Sequence, residues 1–189
     1  MDDLELHSIA QGSFAAVLGD VREEHWGLAT PASDWDVAAL IAHVVGGERM
    51  ATALLDGGSV DDARAAITAP LEPSEALTAF ASACEDSKQR FAAPGALERV
   101  VHHPMGDFPG AQLLGFRIAD LTLHGWDLSR AIGTDDTINP DLVAAVWSQL
   151  EPLSPFIDQI GVFGMGPSGE VPDDADLQRR LLDLSGRRP

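Results

Sequence analysis

Apolar residues recur along the chain at the three- to four-residue spacing of helices, and strand-like alternation is weak throughout. Glycine and proline fall between the periodic segments, where they end one helix before the next begins. The pattern predicts an all-α bundle of four longer and two shorter helices. The predicted helices cover residues 3–25, a segment capped by Ser33 or Asp34 that ends near Leu55, residues 73–91 capped by Ser74, 111–132, a helix opened by Pro140 and closed by Pro152, and 174–184.

The second predicted helix is apolar nearly all round, because alanines fill the positions between its larger residues. A helix of this composition is usually buried among others. The third predicted helix places four residues on one core face: Leu77, Phe80, Cys84 and Phe91.

Two segments are too rich in proline and glycine for helices and predict long loops, residues 94–110 and 155–172. Residues 99–101 favour a short extended piece within the first. Gly133 stands where a left-handed residue ends the fourth predicted helix.

The length of 189 residues corresponds to about one domain, and 45% hydrophobic with 22% charged residues is typical of globular proteins. No run approaches the roughly 18–20 uncharged apolar residues of a membrane-spanning helix. The acidic first residues do not resemble a secretory signal. A single cysteine, Cys84, cannot form an internal disulfide. We expect a cytoplasmic protein.

The formal net charge is −18, from 12 basic and 30 acidic residues. Nucleic-acid binding depends on basic patches, and anionic membrane surfaces likewise attract basic segments. The composition therefore predicts that the protein binds neither nucleic acid nor membranes.

Histidine is the most informative residue type, with six in the chain. His7, His25, His102 and His103 lie near predicted helix surfaces or in loops, and we interpret them as solvated or capping residues. Neighbouring side chains point apart in an extended chain, so His102 and His103 are not expected to bind one ion together.

His43 lies in the middle of a strongly apolar helix, as does His124. A buried imidazole needs a hydrogen-bond partner or a metal, because an unpaired polar group costs on the order of 1–3 kcal/mol. Gly46 and Gly47 leave room beside His43.

Asp120, His124 and Asp127 share one stripe of the fourth helix, which Arg117 joins one turn earlier. A carboxylate and an imidazole four residues apart are a metal-ligand spacing of helical metalloproteins. His43 from a facing helix would complete three ligands and leave a position open for water or substrate, as in catalytic zinc sites.

Ordinary structural roles compete with this interpretation. Asp120 could pair with Arg117, Asp127 could pair with Arg130, and His124 could be a satisfied core histidine. Asp127 could instead orient the imidazole of His124 as a hydrogen-bond acceptor. Arg117 could bind an acidic cosubstrate.

Three blocks of the chain resemble a known family. Residues 30–37 (TPASDWDV) with 40–44 (LIAHV) are similar to the first signature of the mycothiol-dependent maleylpyruvate isomerase type of metal-binding domain. Residues 120–131 (DLTLHGWDLSRA) resemble its second signature. Residues 171–176 (VPDDAD), with 180–182 (RLL) and 186–187 (GR), resemble the ending of an actinobacterial metal-binding subgroup.

The resemblance implies a single domain over residues 1–189 with the DinB/YfiT-like up-down-down-up four-helix bundle and extra short C-terminal helices. It implies a divalent metal, zinc or nickel, held by His43, Asp120 and His124. Characterised relatives use a low-molecular-weight thiol, mycothiol or bacillithiol. Two positions depart from the family: Ala32 replaces a frequent cysteine, and Asp120 replaces the longer glutamate of the isomerase.

Two functions follow as hypotheses. The first is a thiol-dependent metalloenzyme, of transferase or isomerase type, acting on an electrophilic small molecule as a monomer or homodimer. The second is a non-catalytic metal-binding protein with a structural or sensing role. Cys84 is interpreted as a packing residue, so the nucleophilic thiol would come from a cosubstrate.

Overall fold

The computed structural model describes residues 1–32, 35–159, 161 and 166–189. Four long helices form a bundle, and shorter helices and one hairpin connect and extend it. The elements are α1 (Asp3–Gly19), α2 (Val37–Leu55), α3 (Val60–Ile67), α4 (Ala76–Phe91), β1 (Val100–His103), β2 (Gly106–Pro109), α5 (Gly110–Ile132), α6 (Pro140–Leu150) and α7 (Leu177–Leu184), with 3-10 turns at Glu23–His25, Pro73–Glu75 and Glu151–Gln159.

Helix α1 runs antiparallel to α4 and parallel to α5. The ring centroids of Phe14 and Phe80 lie 5.0 Å apart between α1 and α4. Those of His7, earlier on α1, and Phe91, later on α4, lie 5.3 Å apart. Phe14 also lies beside Gly125 of α5.

Helix α2 runs antiparallel to α5, because His43 contacts Asp120 whereas Glu48, further along α2, contacts Arg117, earlier on α5. His7 of α1 meets Glu48 in the same layer. Together these contacts give the up-down-down-up order of α1, α2, α4 and α5. The predicted all-α fold is confirmed.

Local capping explains where the helices begin and end. Asp36 is the N-cap of α2, and its carboxylate accepts the Ala39 N–H at 2.8 Å. The proposed caps Ser33 and Asp34 lie outside the described residues. Gly133 ends α5 as predicted, with a left-handed φ of 74°.

Several predicted boundaries are wrong. The first helix ends at Gly19, and residues 23–25 form a separate 3-10 turn. Ser74 lies in the 3-10 turn before α4, whose N-cap is Glu75. Leu77 is 54% exposed and does not belong to the core face. Helix α7 begins at Leu177, after the side chain of Asp176 caps it, rather than at residue 174.

Helix α3 and the strand pairing of the hairpin were not predicted. Helix α3 has only eight residues, of which Ala63 alone is buried, and a capping box at Ser59 starts it. The extended piece predicted at residues 99–101 overlaps β1, which pairs with β2 in an antiparallel hairpin that places Val101 opposite Phe108. The hairpin packs on α5 through an edge-to-face contact of Phe108 with Phe116, 5.2 Å between centroids.

Helix α2 alone, among the described residues, is long and apolar enough by composition to cross a membrane, with a mean hydropathy of 1.3. Glu48 and Arg49 interrupt its apolar run. In the bundle, 61% of this segment is buried against other helices. These properties are those of a core helix.

Replacing Gly46 with alanine is expected to destabilise the fold by about 1–3 kcal/mol. The added Cβ would overlap the backbone carbonyl of Ile67, the last residue of α3, which packs closely against α2 at this point. Urea denaturation measures the change, and Gly12→Ala is the matched control because its Cβ would meet nothing within 4 Å. Equal stability of the two variants would contradict the close approach of α2 and α3.

Candidate metal centre

The structure brings His43, Asp120 and His124 together between α2 and α5. Each offers one ligand atom, and the three atoms lie within 4.8 Å of one another. Nε2 of His43 lies 3.1 Å from Oδ1 of Asp120, and Nε2 of His124 lies 3.5 Å from the same oxygen. Two imidazole nitrogens and one carboxylate oxygen therefore converge on one point.

The distances from the carboxylate oxygen to the two imidazole nitrogens fit a divalent cation. Nitrogen and oxygen ligands about 2.0–2.1 Å from a tetrahedral zinc ion lie about 3.3–3.4 Å apart. The measured separations of 3.1 and 3.5 Å lie on either side of that value. Although Asp120 is one methylene shorter than glutamate, its oxygen reaches both imidazoles.

The triad is open to solvent on one side and aromatic on another. The side chains of His43, Asp120 and His124 are 25%, 21% and 12% exposed. Trp35, just before α2, lies with its ring centroid 4.5 Å from His43 and 5.4 Å from His124. A small molecule could reach the triad from the open side, beside the indole.

Arg117 holds the second oxygen of Asp120. Its Nη1 donates to Oδ2 at 2.9 Å, while its Nε donates to Oε1 of Glu48 at 2.9 Å. Arg117 and Glu48 are almost fully buried. This contact leaves Oδ1 of Asp120 directed at the imidazoles, and it engages the guanidinium that the sequence suggested for an acidic cosubstrate. Of the two alternatives for Arg117, the structure has the pairing with Asp120.

Asp127 orients His124. Its Oδ2 lies 2.9 Å from Nδ1 of His124. An ionised carboxylate only accepts hydrogen bonds, so Nδ1 carries the hydrogen and the lone pair of the neutral ring lies on Nε2. The alternative pairing of Asp127 with Arg130 is wrong, because Arg130 pairs with Asp136 at 3.1 Å.

Electrostatics favour a charged carboxylate in the triad. Burial raises the pKa of Asp120, but the positive charge of Arg117 and the two imidazoles outweigh it and hold that pKa well below its ordinary value. Burial lowers the pKa of His124, while Asp120 and Asp127 raise it above its ordinary value. A cation must therefore compete with a proton for His124.

A buried polar cluster extends from Arg117 to α1 and α4. The carboxylate of Glu48 accepts from Gln11 at 2.9 Å and from the hydroxyl of Ser87, and it lies 3.3 Å from Nε2 of His7. The interpretation of His7 as solvated is wrong: the ring is 1% exposed.

Gly46 and Gly47, near His43, allow other residues to approach α2 closely. A Cβ on Gly47 would overlap the guanidinium of Arg117, and one on Gly46 would overlap the backbone of α3. They leave room for Arg117 and for α3 rather than for the imidazole. This close approach lets Arg117 pass beside α2 to Glu48.

The remaining histidines lie outside the triad. His25 caps its own turn, with Nδ1 accepting the Arg22 N–H, and His102 is exposed and 2.8 Å from Asp107. His103 is half-buried beside Phe108, and burial lowers its pKa. Nδ1 of His103 accepts the Met105 N–H at 3.1 Å, so the ring caps the hairpin turn, as one of the two alternatives predicted, and also packs against Phe108.

Cys84 is half-buried on α4. Burial, followed by the negative charge of Glu48, raises the pKa of its thiol. A thiol with a raised pKa carries little thiolate at neutral pH and is a poor nucleophile.

Glu48, Trp35 and Arg187 take part in the site but were not identified from the sequence. Glu48 carries one usable signal, because Glu48 and Arg49 are the two acidic or basic residues other than histidine in an apolar helix. Arg187 pairs with Asp127 across 60 residues, a relation without a local pattern.

The model of the mycothiol maleylpyruvate isomerase N-terminal domain family matches residues 8–129. The chain belongs to this family. The match begins within α1, ends within α5 and includes His43, Asp120, His124 and Asp127. The suspected family is confirmed.

Two relatives are similar to this chain over most of their length. Two uncharacterised proteins of Mycobacterium tuberculosis, from strains CDC 1551 / Oshkosh and ATCC 25618 / H37Rv, are each 34% identical over 168 residues, which covers 84% of this chain and 88% of the relative.

Solved structures share the fold. The crystal structure of the mycothiol-dependent maleylpyruvate isomerase superposes with a TM-score of 0.64 at 18% identity, covering 85% of this chain and 70% of that chain. A histidine-to-alanine mutant of the isomerase gives a TM-score of 0.66 at 18% identity, covering 87% and 71%.

Proposed function

We propose that this protein is a divalent-metal enzyme that uses a small-molecule thiol such as mycothiol, in a transferase or isomerase reaction. His43, Asp120 and His124 would hold the cation, zinc by preference. The convergence of two Nε2 atoms and one carboxylate oxygen on a single, partly open point carries the proposal.

The donor set supports zinc over a hard cation. Imidazole nitrogen suits zinc and nickel, whereas magnesium and calcium prefer sites made of oxygen ligands. Three protein ligands leave a position for an exogenous group. Held by the three residues, a divalent cation would act as a Lewis acid. It would lower the pKa of a thiol at the open position, and the thiol would react as a thiolate.

Other residues of the chain would hold and orient the three ligands of the cation. Arg117 holds Asp120, Asp127 holds His124, and Trp35 packs against both imidazoles. The thiol must come from a second molecule, because the pKa of Cys84, the single cysteine, is raised.

An electrophilic small molecule completes the reaction. With an enoyl acid, the thiolate adds to the double bond, rotation follows about the new single bond, and elimination returns the thiolate and an isomerised product. With an alkyl halide, a carbon–sulfur bond forms as the halide leaves. In either case the thiol proton passes to solvent.

Cobalt-substituted protein tests the proposal. We expect mycothiol to change the visible spectrum and add a sulfur-to-cobalt charge-transfer band, because the thiol occupies the open position. S-methylated mycothiol is the control, since it has no thiol to ionise. A spectrum that does not change at saturating mycothiol would overturn the proposal of a thiol-dependent enzyme. The non-catalytic metal-binding role would then remain.

A further inference from the structure

Arg187 follows α7, outside the segment that the family model matches, and its guanidinium reaches α5. Its Nε donates to Oδ1 of Asp127 at 3.0 Å, and its Nη2 donates to Oδ2 at 2.6 Å. Asp127 is 0% exposed and Arg187 is 8% exposed. A two-pronged guanidinium–carboxylate contact fixes the plane of the carboxylate as well as its position.

The same carboxylate contacts the candidate ligand His124. Oδ2 of Asp127 accepts from Nδ1 of His124 at 2.9 Å and from Arg187 at once. The far nitrogen of that ring, Nε2, is the atom that faces Asp120 at 3.5 Å. The side chains of Arg187, Asp127 and His124 therefore form one hydrogen-bonded network that ends at the triad.

The backbone after α7 aims Arg187 at Asp127. Gly186 has a left-handed φ of 80°, its N–H donates to the Asp183 carbonyl at 3.0 Å, and the Arg187 N–H donates to the Leu182 carbonyl at 2.9 Å. This closing turn reverses the chain direction at the helix end. Leu182 is buried, so α7 is anchored in the bundle.

We propose that Arg187 is a positioning residue of the metal centre. By holding Asp127, it holds the ring of His124 in the tautomer and orientation that present Nε2 to a cation. Docking of residues 177–187 and cation binding are then coupled, and each strengthens the other by the same factor. The cation part of this inference rests on the proposed function, whereas the ring tautomer does not.

Zinc affinity, measured by competition with a chromophoric chelator, tests the coupling. Arg187→Gln is expected to weaken zinc binding by up to about 10-fold, the lower end of the effect of losing a ligand's own hydrogen-bond partner, because Arg187 acts on His124 through Asp127. Arg187→Lys, which keeps the charge but not the two-pronged contact, should recover part of the loss. Arg188→Gln is the control, because Arg188 is half-exposed and contacts Asp183 instead.

The ring nitrogens of His124 provide a readout that a merely structural role would leave unchanged. In metal-free wild type, nitrogen-15 shifts at a pH where the ring is neutral should report hydrogen on Nδ1. Arg187→Gln should give a mixture of tautomers, and Arg188→Gln should not. Thermal unfolding establishes that each variant is folded.

If Arg187→Gln fails to fold, Gly186→Ala replaces it, because it keeps both charges and strains only the turn that aims Arg187. A smaller loss of zinc affinity in the same direction supports the inference. Unchanged zinc affinity and an unchanged tautomer in the folded variant would overturn it. Wild type that binds no zinc would refute the proposed function, while the tautomer would still test Arg187.

Discussion

Replacing His124 with alanine is expected to abolish stoichiometric zinc binding, and replacing His43 should do the same. Each variant removes one of three converging donor atoms, so the loss should exceed the roughly 10–100-fold cost of losing an outer partner. Both side chains are partly exposed, and the variants should fold. Elemental analysis of the purified proteins measures the metal content.

His102→Ala is the matched control. His102 is exposed on the hairpin, where it contacts Asp107, and its removal should leave one equivalent of zinc. A full equivalent retained by His43→Ala would mean that the third ligand is misassigned. Loss of zinc from His102→Ala would place the site elsewhere.

Replacing Glu48 with alanine is expected to lower the free energy of unfolding by about 3–5 kcal/mol, as for other buried pairs that lose one partner. The change removes one of the two carboxylates that pair with the buried guanidinium of Arg117, so that only Asp120 still pairs with it. Urea denaturation followed by circular dichroism measures the loss. It should be among the largest single-residue effects on stability in this protein.

The surface pair of Asp56 and Arg90 provides the comparison. Its two groups are also in contact, but both are well exposed, and Asp56→Ala should change stability little. Equal effects of Glu48→Ala and Asp56→Ala would show that burial does not decide the strength of these pairs.

The contribution of the buried pair of Glu48 and Arg117 to stability depends on pH. Burial raises the pKa of Glu48, but Arg117 and His7 outweigh it and lower the pKa from 4.5 to about 2. A carboxyl group with a lower pKa in the folded chain contributes its full stability above the unfolded value and loses it as the pH falls through the folded value. The stability difference between wild type and Glu48→Gln should therefore shrink between pH 4.5 and about 2.

Local pattern was enough to predict the long helices and two of the three candidate ligands. Asp120 and His124 lie one turn apart, so helix geometry alone puts them side by side. His43 was identified by a different rule, since an imidazole in an apolar helix needs a partner. Helix α3 was missed because it has only eight residues and buries only Ala63, so its apolar pattern is short. The sequence predicted the extended piece of β1 but not its pairing, because β2 begins with glycine and ends with proline and was interpreted as a loop.

The sequence by itself determined that Asp120, His124 and Asp127 share one face of their helix, because that depends only on the helical repeat. The tertiary structure alone decided which charges meet between elements. Glu48 meets Arg117 across 69 residues and Arg187 meets Asp127 across 60. Those pairings depend on how each helix is rotated and how closely it approaches its neighbour, as where Gly47 admits Arg117. Such contacts orient the triad, and they arise only when the bundle is packed.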